Sequence, residues 1–176
     1  MKQNFKWVVP VVASVLAAVG FFSLRTMTAD HPVAPAARTV PAFSGTDLSG
    51  RKLSLADYKG KVVLLDFWAT WCPPCRAEVP NLVKTYKANH GRGFDVIGIS
   101  LDRDKAELKS YIKQNGMTWR QVYDGDTRYA IANKFGVQAI PATYLIDGTT
   151  GKILAENLRG AELTRAVNSA LKARGK

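Results

Sequence analysis

The chain has 176 residues, 47% of them hydrophobic, with 25 Lys and Arg against 14 Asp and Glu and a formal net charge of +11. Two cysteines and two histidines, His31 and His90, are too few and too scattered for a four-ligand structural zinc site on one chain. The basic residues are dispersed, with no Lys/Arg block and no RNA-binding signature, which argues against nucleic acid as a partner and for a solvated surface with some attraction to anionic lipid.

In chain order, Lys2 and Lys6 precede an uncharged stretch from Trp7 to Leu24, and only Arg25 follows closely. As a helix these eighteen residues would reach about 27 Å, against a hydrocarbon core about 30 Å thick. Residues 1–28 are therefore read as a cytoplasmic N-terminus and a single transmembrane signal anchor, with the rest of the chain outside the cytoplasm. The alternative is a cleaved signal peptide, although Ala18-Val19-Gly20 is an imperfect cleavage site. Residues 29–40, rich in Pro and Ala, have no helical or alternating period and read as an extended tether. Residues 41–176 read as one domain; from Arg38 onward the chain keeps +9 of the +11 charge.

Within that domain apolar runs alternate with helical patterns. Val62 to Trp68 reads as a buried strand and Cys72 to about Asn89 as a helix with Val79, Leu82, Val83 and Tyr86 on one face and a kink at Pro80. Phe94 to Leu101 is a second strand. Asp104 to Glu107 has the spacing of a capping box ahead of a helix burying Leu108, Tyr111 and Ile112. Trp119 to Tyr123 reads as a strand, Arg128 to Phe135 as a short helix stopped by Gly136, and Thr143 to Ile146 with Lys152 to Ala155 as a hairpin around Asp147 to Gly151. Ala161 to Leu171 closes the domain as a helix.

Both cysteines lie in Trp71-Cys72-Pro73-Pro74-Cys75, directly after the first strand. A thiolate at a helix start is stabilised by unpaired N–H groups and the positive end of the helix dipole, which lowers its pKa from about 8.5 to roughly 3.5–7.5. Cys72 is thus expected to be the exposed nucleophile and Cys75, under the same turn, the buried thiol that resolves a mixed disulfide. A purely structural disulfide over so short a loop would stabilise little. Copper binding by the thiols, without catalysis, stays open as an alternative, since thiolates suit Cu(I), although no nearby His or Met completes a site. Asp66, in an apolar strand, and Glu78, three residues after Cys75, are candidate proton acceptors; the plainer readings are a hydrogen-bonded structural Asp and a Glu that helps the helix dipole.

The segment Asp66 to Cys75 closely resembles the thioredoxin active site, and Gly136 to Asp147 resembles the thioredoxin-fold segment whose proline is cis and faces the cysteines. Pro41-Ala42-Phe43, Leu53 to Lys61, Trp71 to Pro80 and Ile99-Ser100-Leu101-Asp102 are similar to the TlpA/ResA/DsbE-like branch, the membrane-anchored thiol:disulfide oxidoreductases of the bacterial cell envelope. The likeness spans about Ala42 to Leu171 and departs from that branch at Asp66, an acid more typical of cytoplasmic thioredoxins. It implies an α/β thioredoxin-like fold with a central mixed sheet flanked by helices, no bound cofactor, and a cycle carried by Cys72 and Cys75. Trp71 and Pro73 would form the docking surface, and Ile140 with Pro141 would present backbone to an extended substrate. It further implies protein disulfides as substrates, such as the Cys-x-x-Cys-His site of an apocytochrome c, and a membrane electron donor of the DsbD/CcdA type. The segment from Pro41 to Lys61 also resembles peroxiredoxins, but Ala69 stands where those proteins place Thr or Ser, three residues before the reacting cysteine.

Overall fold

A computed structural model describes residues 38–175. The anchor read over residues 1–28 and most of the tether lie outside the described residues. Among those described, no helix is long and apolar enough to cross a membrane.

Two short strands, β1 (Ser44–Thr46) and β2 (Lys52–Ser54), pair as a hairpin before a 3-10 turn over Leu55–Tyr58. The five-stranded sheet follows: β3 (Val62–Trp68), β4 (Phe94–Ser100), β5 (Arg120–Tyr123), β6 (Ala142–Asp147) and β7 (Ile153–Glu156), in the order β5-β4-β3-β6-β7. β3 runs parallel to β4 and antiparallel to β6, so the sheet is mixed. Every residue of β3 and β4 is buried, as near-continuous apolar runs require when both faces are covered.

The helices are α1 (Pro73–Asn89), α2 (Lys105–Gln114), α3 (Ala130–Lys134) and α4 (Gly160–Ala173). The strand order carries the β3-to-β4 and β4-to-β5 crossovers in one direction across the sheet, and α1 and α2 pack on the same face. There Val62, Leu64 and Trp68 meet Val79, Leu82, Leu108, Leu163, Val167 and Leu171. Val63, Leu65 and Phe67, which alternate with them, face Phe43, Leu53, Tyr58 and Ile131 on the other side.

Several boundaries differ from the sequence expectation. Arg38 to Val40, read as the end of the tether, are docked on the domain. Thr39 bridges Lys152, Val40 N–H donates to Gly151 O at 2.9 Å, and the Arg38 guanidinium grips Glu156 with two 3.1 Å bonds. The third helix starts at Ala130, not Arg128, because Arg128 and Tyr129 have φ of 53° and 63°, outside the helical region. The buried Asp124 carboxylate accepts the Ile131 and Ala132 N–H groups instead of a local cap. At α2, Asp104 caps the Ala106 and Glu107 N–H groups, but Glu107 does not return the bond and lies 3.5 Å from Thr70 Oγ1. α1 continues through Pro80.

Candidate active site

β3 ends at Trp68, and the chain turns through Ala69 to Trp71 before α1 begins. That turn is pinned from below by Asp102, just past β4. Its carboxylate accepts the Thr70 N–H at 2.9 Å, the Thr70 hydroxyl at 2.5 Å and the Ser100 hydroxyl at 2.7 Å. The loop after β4, noted in the sequence only as a family likeness, thus fixes where the cysteine turn sits.

Cys72 is the N-cap of α1, in extended conformation, and Pro73 and Pro74 occupy the first two helical positions. Proline is tolerated there because those N–H groups would have no helical partner. The first N–H that the helix does offer, from Cys75, points at Cys72 Sγ at 3.2 Å. No acidic residue occupies the first turn. A thiolate on Cys72 would meet a directed donor and the positive helix end, with no carboxylate in that turn to oppose it.

The two cysteines are joined as a disulfide, with Cα atoms 5.3 Å apart. Both residues are 3% exposed. Cys72 was expected to be exposed and Cys75 buried, but in the oxidised protein exposure does not separate them. Cys72 is shielded by the loop before β6, whose Ile140 carbonyl oxygen lies 3.8 Å from Cys72 Sγ. The Ile140–Pro141 peptide is cis, and both residues are half-buried. Trp71, 58% exposed, and Pro73, also exposed, flank Cys72 in the chain. The structure thus places Ile140 against Cys72, with Pro141 lining the cavity on the Cys75 side.

Beneath Cys75 lies a cavity of about 20 Å³, lined by Asp66, Cys75, Glu78, Pro141, Thr143 and Arg159 among others, which is room for about one water molecule. Asp66 enters it from β3. Its register partners are Gly98 on β4 and Thr143 on β6, and Gly98 in turn faces Gln121 on β5. A polar row thus crosses an otherwise apolar sheet face one level below the cysteines. Asp66 is 8% exposed and accepts no hydrogen bond from the described residues. Burial pushes its carboxyl from the ordinary 3.8 up to about 7; the Arg159 charge pulls the other way and the Glu78 charge adds to the rise. Near neutral pH the carboxyl is about half ionised, the condition that suits a proton acceptor.

Glu78 reaches the same cavity but is engaged elsewhere. Its Oε2 accepts the Gly160 N–H at 2.8 Å, so it caps the start of α4 instead of assisting its own helix. Asn81 and Thr85, one and two turns on, tie to Gly160 O and Thr164 Oγ1, both at 2.8 Å. Arg159, next to Gly160, is absent from the sequence reading. Its guanidinium donates to Pro141 O, to Leu158 O at 2.7 Å and to Thr143 Oγ1 at 3.3 Å. Only its charge and its place just before a helix mark it in the sequence, and neither distinguishes it from a surface arginine.

The AhpC/TSA family profile matches residues 36–155. Thiol-disulfide oxidoreductase ResA of Bacillus thuringiensis (strain Al Hakam) is 31% identical over 175 residues, which cover 98% of each chain. ResA of Bacillus subtilis (strain 168) is 27% identical over 144 residues, 82% of this chain and 79% of its own. Among solved structures, the thioredoxin domain of a thiol-disulfide oxidoreductase from Bacteroides vulgatus superposes with a TM-score of 0.71 at 38% identity, covering 77% of this chain and 96% of that one. A DsbE thiol:disulfide interchange protein from Chlorobium tepidum gives 0.67 at 28% identity over 77% and 96%. Ala69, three residues before Cys72, carries no hydroxyl, which sets the site apart from the peroxiredoxin pattern noted in the sequence. With a cysteine pair capping a helix opposite a cis-proline loop, on a thioredoxin-like mixed sheet, this chain belongs to the AhpC/TSA family, among its thiol-disulfide oxidoreductases of the ResA kind.

Proposed function

We propose that the protein works in the reducing direction, passing two electrons from the Cys72/Cys75 dithiol to disulfides of other proteins on the outer side of the cytoplasmic membrane. The Cys-x-x-Cys-His site of an apocytochrome c is the favoured substrate, and a membrane carrier of the DsbD/CcdA type the favoured donor. The observation that carries the exchange chemistry is the Cys72/Cys75 pair at the head of α1, with Ile140 O against Cys72 and the Asp66 carboxyl in the cavity beside Cys75; the reducing direction, the substrate and the donor rest on the family likeness. In the first step the Cys72 thiolate attacks a substrate disulfide, forming a mixed disulfide and releasing one substrate sulfur as a thiolate. In the second, Cys75 gives its proton to Asp66 and its sulfur attacks Cys72 Sγ. The Cys72–Cys75 bond forms, the bond to substrate breaks, and the departing thiolate takes up a proton. The substrate is reduced by two electrons and the enzyme is left in the disulfide state. The Ile140 carbonyl opposite Cys72 suits backbone pairing with an extended substrate segment. The positively flanked apolar stretch from Trp7 to Leu24 supports an anchor that keeps the domain beside its donor, where a weak encounter suffices.

The test is trapping in cells with Cys75→Ser, which leaves the mixed disulfide on Cys72 unresolved. The expected result is a set of reductant-sensitive adducts in the membrane fraction, apocytochrome c among them, that vanish when Cys72 is also replaced. In the unaltered protein the pair should be held mainly reduced by the donor. A pair that is mainly oxidised while its partners gain disulfides would reverse the direction, and full-length protein free of membranes would remove the anchor.

A further inference from the structure

The groups that serve Cys75 come from three parts of the chain. Asp66 is on β3 and Glu78 on α1, while Pro141 and Thr143 lie at the start of β6. What joins them is the dipeptide that opens α4. Gly160 N–H is held by Glu78, and the Arg159 side chain lies across the cavity to the Pro141 carbonyl and the Thr143 hydroxyl. Of the two successive carbonyls in the cis-proline loop, Ile140 O is left facing Cys72 while Pro141 O is taken by Arg159. A guanidinium suits this place because its planar fork reaches two oxygens at once and its charge does not titrate. Arg159 is also the cation that acts on Asp66, whereas Glu78 opposes the charge that must develop there when Cys75 gives up its proton.

We propose that Arg159 is a positioning residue for the second half of the exchange: its fork holds the cis-proline loop in register with Cys72, and its charge supports the Asp66 carboxylate that takes the Cys75 proton. This rests on the disulfide-exchange reading above and adds to it a residue that touches neither sulfur. The groups facing Asp66 are Cys75 and Glu78 from α1, Arg159 from the start of α4, Thr143 from β6 and Gly98 from β4. Among these, Arg159 is the only fixed positive charge. Removing it leaves the carboxyl with burial and Glu78, both of which favour the neutral acid. Bond making and breaking are unchanged, since the Cys75 proton still goes to Asp66 and the Cys75 sulfur still displaces the substrate thiolate from Cys72. What changes is the pH at which the acceptor is ready.

The experiment follows resolution of a mixed disulfide by rapid acid quench, using the reduced full-length protein and a peptide with an intramolecular Cys-x-x-Cys disulfide, from pH 5.5 to 9. The unaltered protein should show a rate that rises with pH around a midpoint near 7, that of the Asp66 carboxyl. Arg159→Gln should raise that midpoint by about one pH unit and slow resolution at pH 7 by about fivefold. In an Asp66→Asn background the same substitution should move no midpoint. Arg159→Lys, which keeps the charge but not the fork, should leave the midpoint in place and raise the KM for the peptide.

A folded Arg159→Gln protein with an unmoved midpoint overturns the proposal, as does a shift that persists in Asp66→Asn. Should Arg159→Gln fail to fold, Arg159→Lys decides alone, and a moved midpoint with unchanged KM refutes the assignment. No exchange at all by the unaltered protein sinks the functional reading together with this one. Normal exchange with an unmoved Arg159→Gln midpoint removes only the role of Arg159.

Discussion

Replacing Asp66 with Asn should make the protein more stable at neutral and alkaline pH while slowing its chemistry. The carboxyl titrates at about 7 in the folded protein against an ordinary 3.8. At about 1.4 kcal/mol for each tenfold change in proton affinity, that difference amounts to about 4 kcal/mol. The folded chain holds this proton more tightly than the unfolded chain does. Its contribution is therefore fully present below about pH 4, is lost as the pH rises towards 7, and is absent above. An amide of the same shape has no charge to form, and Asp66 has no hydrogen bond from the described residues for it to break. The gain over the unaltered protein should grow from near zero at pH 4 to about 2–4 kcal/mol at pH 8, the lower figure allowing for relaxation around the charge. Urea unfolding of both oxidised proteins, in which the cysteines do not titrate, reads this as a midpoint raised by about 1–2 M at pH 8. Equal midpoints at pH 8, or a gain that does not change between pH 4 and 8, would refute the argument.

Three more outcomes follow from contacts described above. Glu78→Ala should cost about 1–2 kcal/mol in thermal or urea unfolding, because Gly160 N–H loses its acceptor, whereas Glu78→Gln keeps an oxygen in place and should cost less than half as much. Gly98→Ala should cost about 2 kcal/mol, since a Cβ there would lie 1.9 Å from Gln121 Oε1, the atom that accepts the Trp68 Nε1–H; Trp68 fluorescence should shift with it. Arg120→Gln should cost about 2–3 kcal/mol near neutral pH, since Arg120 donates to Asp47 Oδ2 at 2.8 Å and to Lys52 O at 2.6 Å, tying the β1–β2 hairpin to β5. Burial alone would raise the Asp47 carboxyl, but bonds from Ser49, Arg51 and Arg120 outweigh it and hold the carboxyl well below 3.8. That stabilisation is fully present above about pH 4 and is lost only as the pH falls on through the depressed folded value, so the gap between the urea midpoints of Arg120→Gln and the unaltered protein should begin to narrow below pH 4 without closing, because the bond to Lys52 O does not titrate.

The parts of this protein legible in its sequence are those whose cause is local. Val62 to Trp68 is an unbroken apolar run, and the cysteine pair follows it at once, so strand, turn and helix could be placed in order. The partnership of Cys72 with Ile140 and Pro141 came through family likeness, since nothing near either segment encodes that they meet. The reading of Asp66 as a buried acid held because a lone carboxyl in an apolar strand has few alternatives. Glu78 was placed near Cys75 by helical spacing, but its bond to Gly160 spans 82 positions and leaves no trace in a local pattern. Arg159 is illegible for the same reason, since Pro141 and Thr143 lie 18 and 16 positions away. In the sequence Asp102 stands out only as part of a family-like motif; its role is visible once Thr70 and Ser100 converge on it. The equal burial of the two cysteines depends on the cis-proline loop closing over Cys72, which the spacing of the pair does not reveal.

The placement of Arg159 and Gly160 at the head of the last helix has a consequence for how the chain matures. Synthesis runs from the N-terminus, so the two sulfurs, their strand and the cis-proline loop all exist before the residues that lock them together. Until α4 docks along α1, Glu78 has nothing to cap and the Pro141 carbonyl has no donor. A chain stopped short of Leu158 would carry every reacting atom yet lack the brace that aligns them. On the proposed role of Arg159, the support for the second half of the exchange is complete only once α4 has docked, whereas the groups that activate Cys72 all lie in α1 itself.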